Sequence, residues 1–232
     1  MKRLKCKNKG TNVRRKEIVM AALACFNEFG YSETSIQSIC LRAVASTGSI
    51  YHHFGSKEQL AREVYLEGIR DYQAGFLKAI EDKEVASEGI FAIIAYHLKW
   101  VEENLAWAHY LFQMRHEDFM VPGEIVFNRI NEEFFGRIAR WFRKHISMGS
   151  IHRMPSDLYL PILMGPCQEF AKNYISKRTL TPIDAAVQEL ASAAWNTLKG
   201  DIHKKSVSQP VPLGGSTDDI SRKKKIRKNR QS

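Results

Sequence analysis

Residues 35–57, S-I-Q-S-I-C-L-R-A-V-A-S-T-G-S-I-Y-H-H-F-G-S-K, gather short hydroxyls, an amide, a glycine and flat aromatic rings into one stretch. Such groups suit contact with base edges and phosphates, because little side-chain bulk separates the backbone from the nucleic acid. Three helix starts organise them. Thr34 sits where an N-cap hydroxyl satisfies free backbone N–H groups, and Gln37, three positions on, completes a capping box. Ser46 is a second N-cap, and Ser56-Lys57-Glu58-Gln59 repeats the box. The chemistry implied is recognition of double-stranded DNA in a groove.

The helices that must hold these groups follow from the apolar spacing. Ile36, Ile39 and Cys40 recur at i, i+3, i+4, which gives one packing stripe and leaves Gln37, Ser38 and Arg42 on other faces. Ala43-Val44-Ala45 connects to a second helix of about two turns, which ends at Phe54 with Gly55 in a left-handed C′ conformation. Ile50 and Phe54 face inward there. Thr47, Gly48, Ser49, Tyr51, His52 and His53 cover most of the remaining surface. Lys57 opens a further helix, where a cation and an N-terminal dipole together favour a phosphate. Tyr51 and Phe54 as core aromatics, with His52 and His53 merely solvated, is the plainer alternative for each residue taken singly.

This segment resembles the DNA-binding module of the tetracycline-repressor (TetR) family of transcription regulators, whose pattern residues 13–60 carry. The resemblance rests on the first helix R-K-E-I-V-M-A-A-L-A-C-F-N-E-F-G-Y, on Thr34-Ser35, on the I-Y-H-H-F run and on S-K-E-Q-L. It implies that Gln37, Thr47, Gly48 and Ser49 lie near bases, and that Thr34, Tyr51, His52, His53 and Lys57 lie nearer the phosphate backbone. One position departs from the family pattern. Val44 stands where the turn glycine is usual, and a β-branched residue is costly if that position needs positive φ.

Charge is unevenly spread. Of 35 Lys and Arg, eight lie in residues 1–16 and seven in residues 222–230, so the formal net charge of +10 comes from the ends. Residues 17–198 carry 17 basic and 22 acidic side chains. A basic arm over residues 1–12 (Lys2, Arg3, Lys5, Lys7, Lys9), continued by Arg14, Arg15 and Lys16, suits counterion-release affinity for DNA. A solubilising tail is the alternative. Residues 200–232, rich in Gly, Ser, Pro and Lys, read as a disordered basic tail.

Beyond residue 60 the pattern is helical without a strand signal, so the expected fold class is all-α. It comprises an N-terminal three-helix module with a helix-turn-helix (13–60) and a larger helical ligand-binding and dimerisation domain (61–199). The turn signals predict helices over 57–80, 87–104, 105–117, 122–146, 155–177 and 181–198. Pro161 and Pro166 predict a bend, with Gly165 allowing another backbone close. The middle helices are aromatic, including Phe91, Phe112, Phe119, Phe127, Phe134 and Phe135. Bulky rings either line a cavity or fill a core, and residue type leaves both open. The resemblance implies a small-molecule effector pocket, with Tyr96, His97, Trp100, Trp107 and Tyr110 as candidate ligand contacts. It also implies a homodimer through the last two helices, where Ile183, Ala186, Val187, Leu190, Ala191, Ala194 and Trp195 form an apolar stripe; packing of that stripe within the chain's own core is the alternative.

Other classes find little support. His97, His109 and His116 show no metal-ligand spacing, and no phosphate loop or nucleophile elbow is present, so neither an enzyme nor a cofactor is expected. Cys6, Cys25, Cys40 and Cys167 lack C-x-x-C spacing, which favours packing. No apolar run has the length of a membrane span, and a cytoplasmic location is expected. The rival reading is a non-specific DNA-coating or anionic-surface-binding protein without an effector.

Overall fold

A computed structural model describes the backbone of residues 2–114 and 125–200, and the side chains of residues 12–114 and 129–200. The expected turn at Val121-Pro122-Gly123, the side chains of His116, Glu117, Asp118, Phe119 and Phe127, those of the arm before Asn12, and the tail from Asp201 lie outside the described residues. The fold is all-α. Its elements are α1 (Lys2–Glu33), α2 (Ile36–Ala43), α3 (Thr47–Phe54), α4 (Lys57–Glu81), α5 (Ala86–Glu103), α6 (Leu105–Met114), α7 (Ile125–Ser147), α8 (Tyr159–Ile175) and α9 (Ile183–Leu198). The backbone of residues 2–12, read from sequence as an arm, continues α1.

The caps fall close to the predicted positions, with one correction. Ser35, not Thr34, caps α2: its hydroxyl accepts from the Ser38 N–H at 3.0 Å. Gln37 is therefore the second helical residue, and Ser38 takes the third position. Thr34 is instead buried, its hydroxyl 2.6 Å from the Gly30 carbonyl and 3.1 Å from that of Cys25, so it closes the C-terminal end of α1. Gly30, at φ 78°, breaks α1 there. Ser46 and Ser56 cap α3 and α4 as expected, accepting from Ser49 and Gln59, each at 3.1 Å. Gly55 ends α3 at φ 75°.

Val44 adopts the conformation that glycine favours, φ 49° and ψ 46°, and the following Ala45 N–H reaches the Cys40 carbonyl at 2.9 Å. Left-handed backbone at a β-branched residue costs about 1–3 kcal/mol. Two carbonyls of this turn are held from α1: Arg14 donates to Ala43 O at 3.1 Å and to Val44 O. Because the Val44 side chain is 82% exposed, removing it forfeits little burial. Val44→Gly is therefore expected to raise stability by about 1 kcal/mol, the relief of strain outweighing the roughly 0.5–1 kcal/mol of extra chain entropy that glycine loses on folding. A urea-unfolding midpoint unchanged or lowered in the variant would show that the turn is unstrained.

Two buried clusters divide the fold. The first joins Ile18, Leu23 and Phe26 of α1 to Ile39, Ile50 and Phe54, then to Leu60, Val64 and Tyr65 of α4, and includes Tyr110 and Met114 from α6. The second packs Phe76, Leu77 and Ile80 of α4 against α5, α7, α8 and α9. Thus α4, about 37 Å long at 1.5 Å per residue, contributes to both. Its Gly68 and Gly75 form notches: a Cβ at either would overlap the rings of Trp107 and Tyr96 respectively. Two glycines inside a helix cost about 1 kcal/mol each in propensity, and ring burial offsets that.

The helix bounds agree with the expected ones to within four residues where both ends are described. Pro161 lies in the first turn of α8, where no N–H is required, and only Pro166 lies inside it. Gly165 does not admit a neighbouring backbone, since a Cβ there would meet no atom within 4 Å.

Candidate nucleic-acid interface and ligand cavity

Packing decides what α2 and α3 present outward. Ile50 and Phe54 bury one face of α3, so Thr47, Gly48, Tyr51 and His52 are exposed and Ser49 and His53 are half-buried. Gln37 is exposed on α2 beside them. Eight of the nine sequence-derived contact residues therefore reach the surface of α2, α3 or the start of α4; Thr34 does not. Tyr51 projects a ring that is 48% exposed. The Thr47 hydroxyl is 3.5 Å from Cys40 Sγ, which ties the start of α3 to α2.

The cations of this module are largely committed internally. Arg15 pairs with Glu63 and, at 3.9 Å, with Glu67. Arg42 pairs with Glu28, and Arg14 lies 2.9 Å from Glu17 while holding the α2 turn. Lys57 donates to Ser32 O at 3.1 Å and sits 4.6 Å above the Tyr31 ring, so it fastens α4 to the end of α1. The sequence offers Lys57 at a helix start as a phosphate-side contact and counts Arg14 and Arg15 in the basic stretch suited to DNA; the tertiary contacts give each a structural partner as well. The His53 imidazole is held below its usual range by partial burial, then by the neighbouring His52, Arg15 and Arg14.

Behind this module, helices α4 to α8 line a half-open cavity of about 740 Å³, with Phe135, Pro161 and Gly165 exposed at its rim. His97 and Trp100 line it. Tyr96, Trp107 and Tyr110, the other three ring residues suggested as ligand contacts, do not. Tyr96 and Trp107 pack into the glycine notches of α4. Tyr110 is fully buried in the first cluster, stacked on Phe26 at 5.6 Å and donating its hydroxyl to Ala61 O at 2.9 Å. The lining that sequence reasoning missed includes Tyr72, Gln73 and Phe76 of α4, Asn131 of α7, and Met164 and Gln168 of α8. The i, i+4 spacing of Tyr72 and Phe76 carries the signal of one shared face.

Several polar side chains of the cavity wall are paired with one another. Tyr72 Oη lies 2.9 Å from His97 Nδ1, and Gln73 Nε2 donates to Asn131 Oδ1 at 3.0 Å. Trp100 Nε1 donates to Asp71 Oδ2 at 2.9 Å. Burial drives the His97 imidazole down to about 4, a loss that the nearby Cys167 backbone only partly offsets, so the ring is neutral near pH 7. Burial likewise keeps Tyr72 a phenol. His97 Nε2 makes no hydrogen bond.

One element touches both sites. On α6, Ala108, Leu111 and Phe112 line the cavity, while Tyr110 and Met114 complete the core of the N-terminal module. Asn27 of α1 donates to Ala106 O at 2.8 Å and lies 2.9 Å from His109 Nδ1.

A three-helix unit with a capped, outward-facing α3, joined by α4 to a helical cavity domain, defines a helix-turn-helix protein. The family model described as bacterial regulatory proteins, tetR family, matches residues 18–64, so the N-terminal module carries that family's DNA-binding pattern. The regulator UidR of Escherichia coli K12 is 37% identical over 67 residues, covering 29% of this chain and 34% of UidR. The repressor KstR2 of Mycobacterium tuberculosis H37Rv is 41% identical over 61 residues, 26% of this chain and 30% of KstR2. These matches span about a third of each curated relative.

Likeness of fold extends further. A TetR-family regulator from Marinobacter aquaeolei superposes with a TM-score of 0.70 at 17% identity, covering 84% of this chain and all (100%) of that one. FadR from Bacillus subtilis, solved in complex with stearoyl-CoA, gives 0.65 at 17% identity over 78% of this chain and 98% of its own. Among the described residues no helix is long and apolar enough to cross a membrane, and no group of three or more His, Cys, Asp or Glu is arranged to hold a metal.

Proposed function

We propose that the chain is a DNA-binding transcriptional regulator, a ligand-responsive repressor that acts as a homodimer on a near-palindromic operator. The observation that carries this reading is the exposed row Thr47, Gly48, Tyr51 and His52 on a short helix whose opposite face is anchored by Ile50 and Phe54. Short groups on a rigid helix enter a major groove, and phosphate contacts on either side fix its register. The domains proposed are the arm 1–12, the DNA-binding module 13–60, the regulatory domain 61–199 and the tail 200–232. Neither catalysis nor a cofactor forms part of this reading.

Dimerisation is assigned to α8 and α9. Pro161, Ile162, Pro166, Leu190 and Ala193 border an apolar surface groove of about 320 Å³ there, which an identical surface can fill. A dimer presents two α3 helices to half-sites about 34–36 Å apart, or a multiple of that. Effector release then requires a ligand that binds more tightly to a conformation in which this spacing is wrong. On α6, Leu111 and Phe112 at the cavity and Tyr110 in the core of the N-terminal module supply a route, and α4 carries the movement to α3.

The test is selection of genomic fragments bound by the full chain, followed by affinity for a selected operator and for random duplex at one salt concentration. A regulator binds its operator about 10³-fold or more tightly, whereas comparable affinities favour the DNA-coating alternative. Gln37→Ala and Ser49→Ala are expected to shift base preference at individual positions by about 1–3 kcal/mol. Equal losses on operator and random DNA would remove that residue from the base-reading set. Light scattering that shows a monomer retaining specific binding would overturn the dimer.

A further inference from the structure

The cavity walls constrain what the effector can be, an inference that rests on the cavity being the effector site of the proposed regulator. Among the described residues none of its lining side chains is ionised near neutral pH: the wall is Phe, Tyr, Trp, Leu, Ile, Val, Met, Ala, Pro and Gly, with Gln73, Asn131, Gln168 and a neutral His97 as its other polar members. A charged group moved into such surroundings without an opposite charge loses its hydration and gains no partner. The Gln73–Asn131 and Tyr72–His97 pairs satisfy one another, so each offers at most its remaining donor or acceptor sites.

We infer that the cavity takes an uncharged, largely apolar ligand, ring-bearing or alkyl, whose polar part is limited to neutral hydrogen-bonding groups such as a hydroxyl or carbonyl, and that it rejects carboxylates and ammonium ions. The volume of about 740 Å³ falls within the range of about 300–1,000 Å³ that holds drug-sized molecules. The rings of Phe76, Phe112, Phe134 and Trp100 supply faces and edges for such a ligand.

The full chain is titrated with the uncharged fluorescent probe N-phenyl-1-naphthylamine at pH 7, and the probe is then displaced with 2-naphthol, 2-naphthoate or 2-naphthylmethylammonium. These rigid bicyclic competitors differ mainly in charge. Displacement by 2-naphthol at concentrations at least about tenfold below those needed for either ion is expected. Equal or better displacement by an ion overturns the inference, as does failure of the probe to bind a chain that unfolds cooperatively. Location is checked with Gly165→Leu, because Gly165 lines the cavity and a Cβ added there meets no atom within 4 Å. That variant is expected to fold and to lose at least about tenfold in probe affinity; undiminished binding would put the probe elsewhere and overturn the assignment. Operator affinity of the same samples tests the regulator separately. Cavity binding that leaves operator affinity unchanged supports the ligand chemistry and counts against ligand-responsive repression.

Discussion

Gly48→Glu is expected to abolish sequence-specific DNA binding while leaving the fold intact. Gly48 is exposed in the first turn of α3, and a Cβ added there would meet only Ser46 Oγ at 4.0 Å, so the folded chain tolerates a side chain. An acidic group in a first helical turn is also favoured by the helix dipole, by about 0.3–1 kcal/mol. In a groove the same side chain holds α3 away from the bases and faces phosphates with like charge. Losing even one good base contact costs about 1–3 kcal/mol, and displacing the whole helix costs several, so operator affinity should fall by about 100-fold or more. Gly48→Ala, with a single methyl, should lose less. Fluorescence anisotropy against operator and random duplex, with a melting curve for each variant, decides the matter. If Gly48→Glu binds operator within about threefold of wild type at unchanged melting temperature, α3 is not the reading helix.

Tyr110→Ala is expected to produce the largest loss of stability among single ring deletions in the N-terminal module, about 3–5 kcal/mol. The ring is fully buried, stacks on Phe26 and donates to Ala61 O, so its removal leaves a cavity between α1, α4 and α6 that rigid helices close poorly. Tyr110→Phe keeps the ring and loses only the hydrogen bond, for which about 1 kcal/mol is expected. The contrast separates packing from polarity. Chemical denaturation of both variants measures it, and a cost below about 1 kcal/mol for the alanine variant would mean that α6 does not complete the core of the module. Because Leu111 and Phe112, the next two residues of α6, line the cavity proposed to take the effector, the phenylalanine variant also reports on coupling. Its effector affinity and operator affinity should each stay close to wild type, while the factor by which one ligand weakens the other declines.

Much of the DNA-facing module was legible because its determinants are local. Hydroxyl caps at Ser46 and Ser56, the positive φ of Gly55, and the i, i+4 burial of Ile50 and Phe54 depend on residues within one or two turns. A local rule went wrong only by one position, at Thr34, where a hydroxyl able to cap α2 instead found the carbonyls of Cys25 and Gly30.

Which charges are available for DNA, and which rings meet a ligand, could not be read this way. Nothing local shows that Arg14, Arg15 and Lys57 find partners on α2, on α4 and at the end of α1, from 25 to 52 residues away in sequence. Tyr96 and Trp107 share the composition of a pocket wall with His97 and Trp100, yet Gly75 and Gly68 on a neighbouring helix draw them into notches. Residue types and helical periodicity determined the all-α class, the caps and the outward face of α3, because those follow from short-range hydrogen bonding and from amphipathic spacing. Only the tertiary structure decided the wall of the cavity and the pairing of the cations, because both depend on how side chains from helices distant in sequence fill the space between one another.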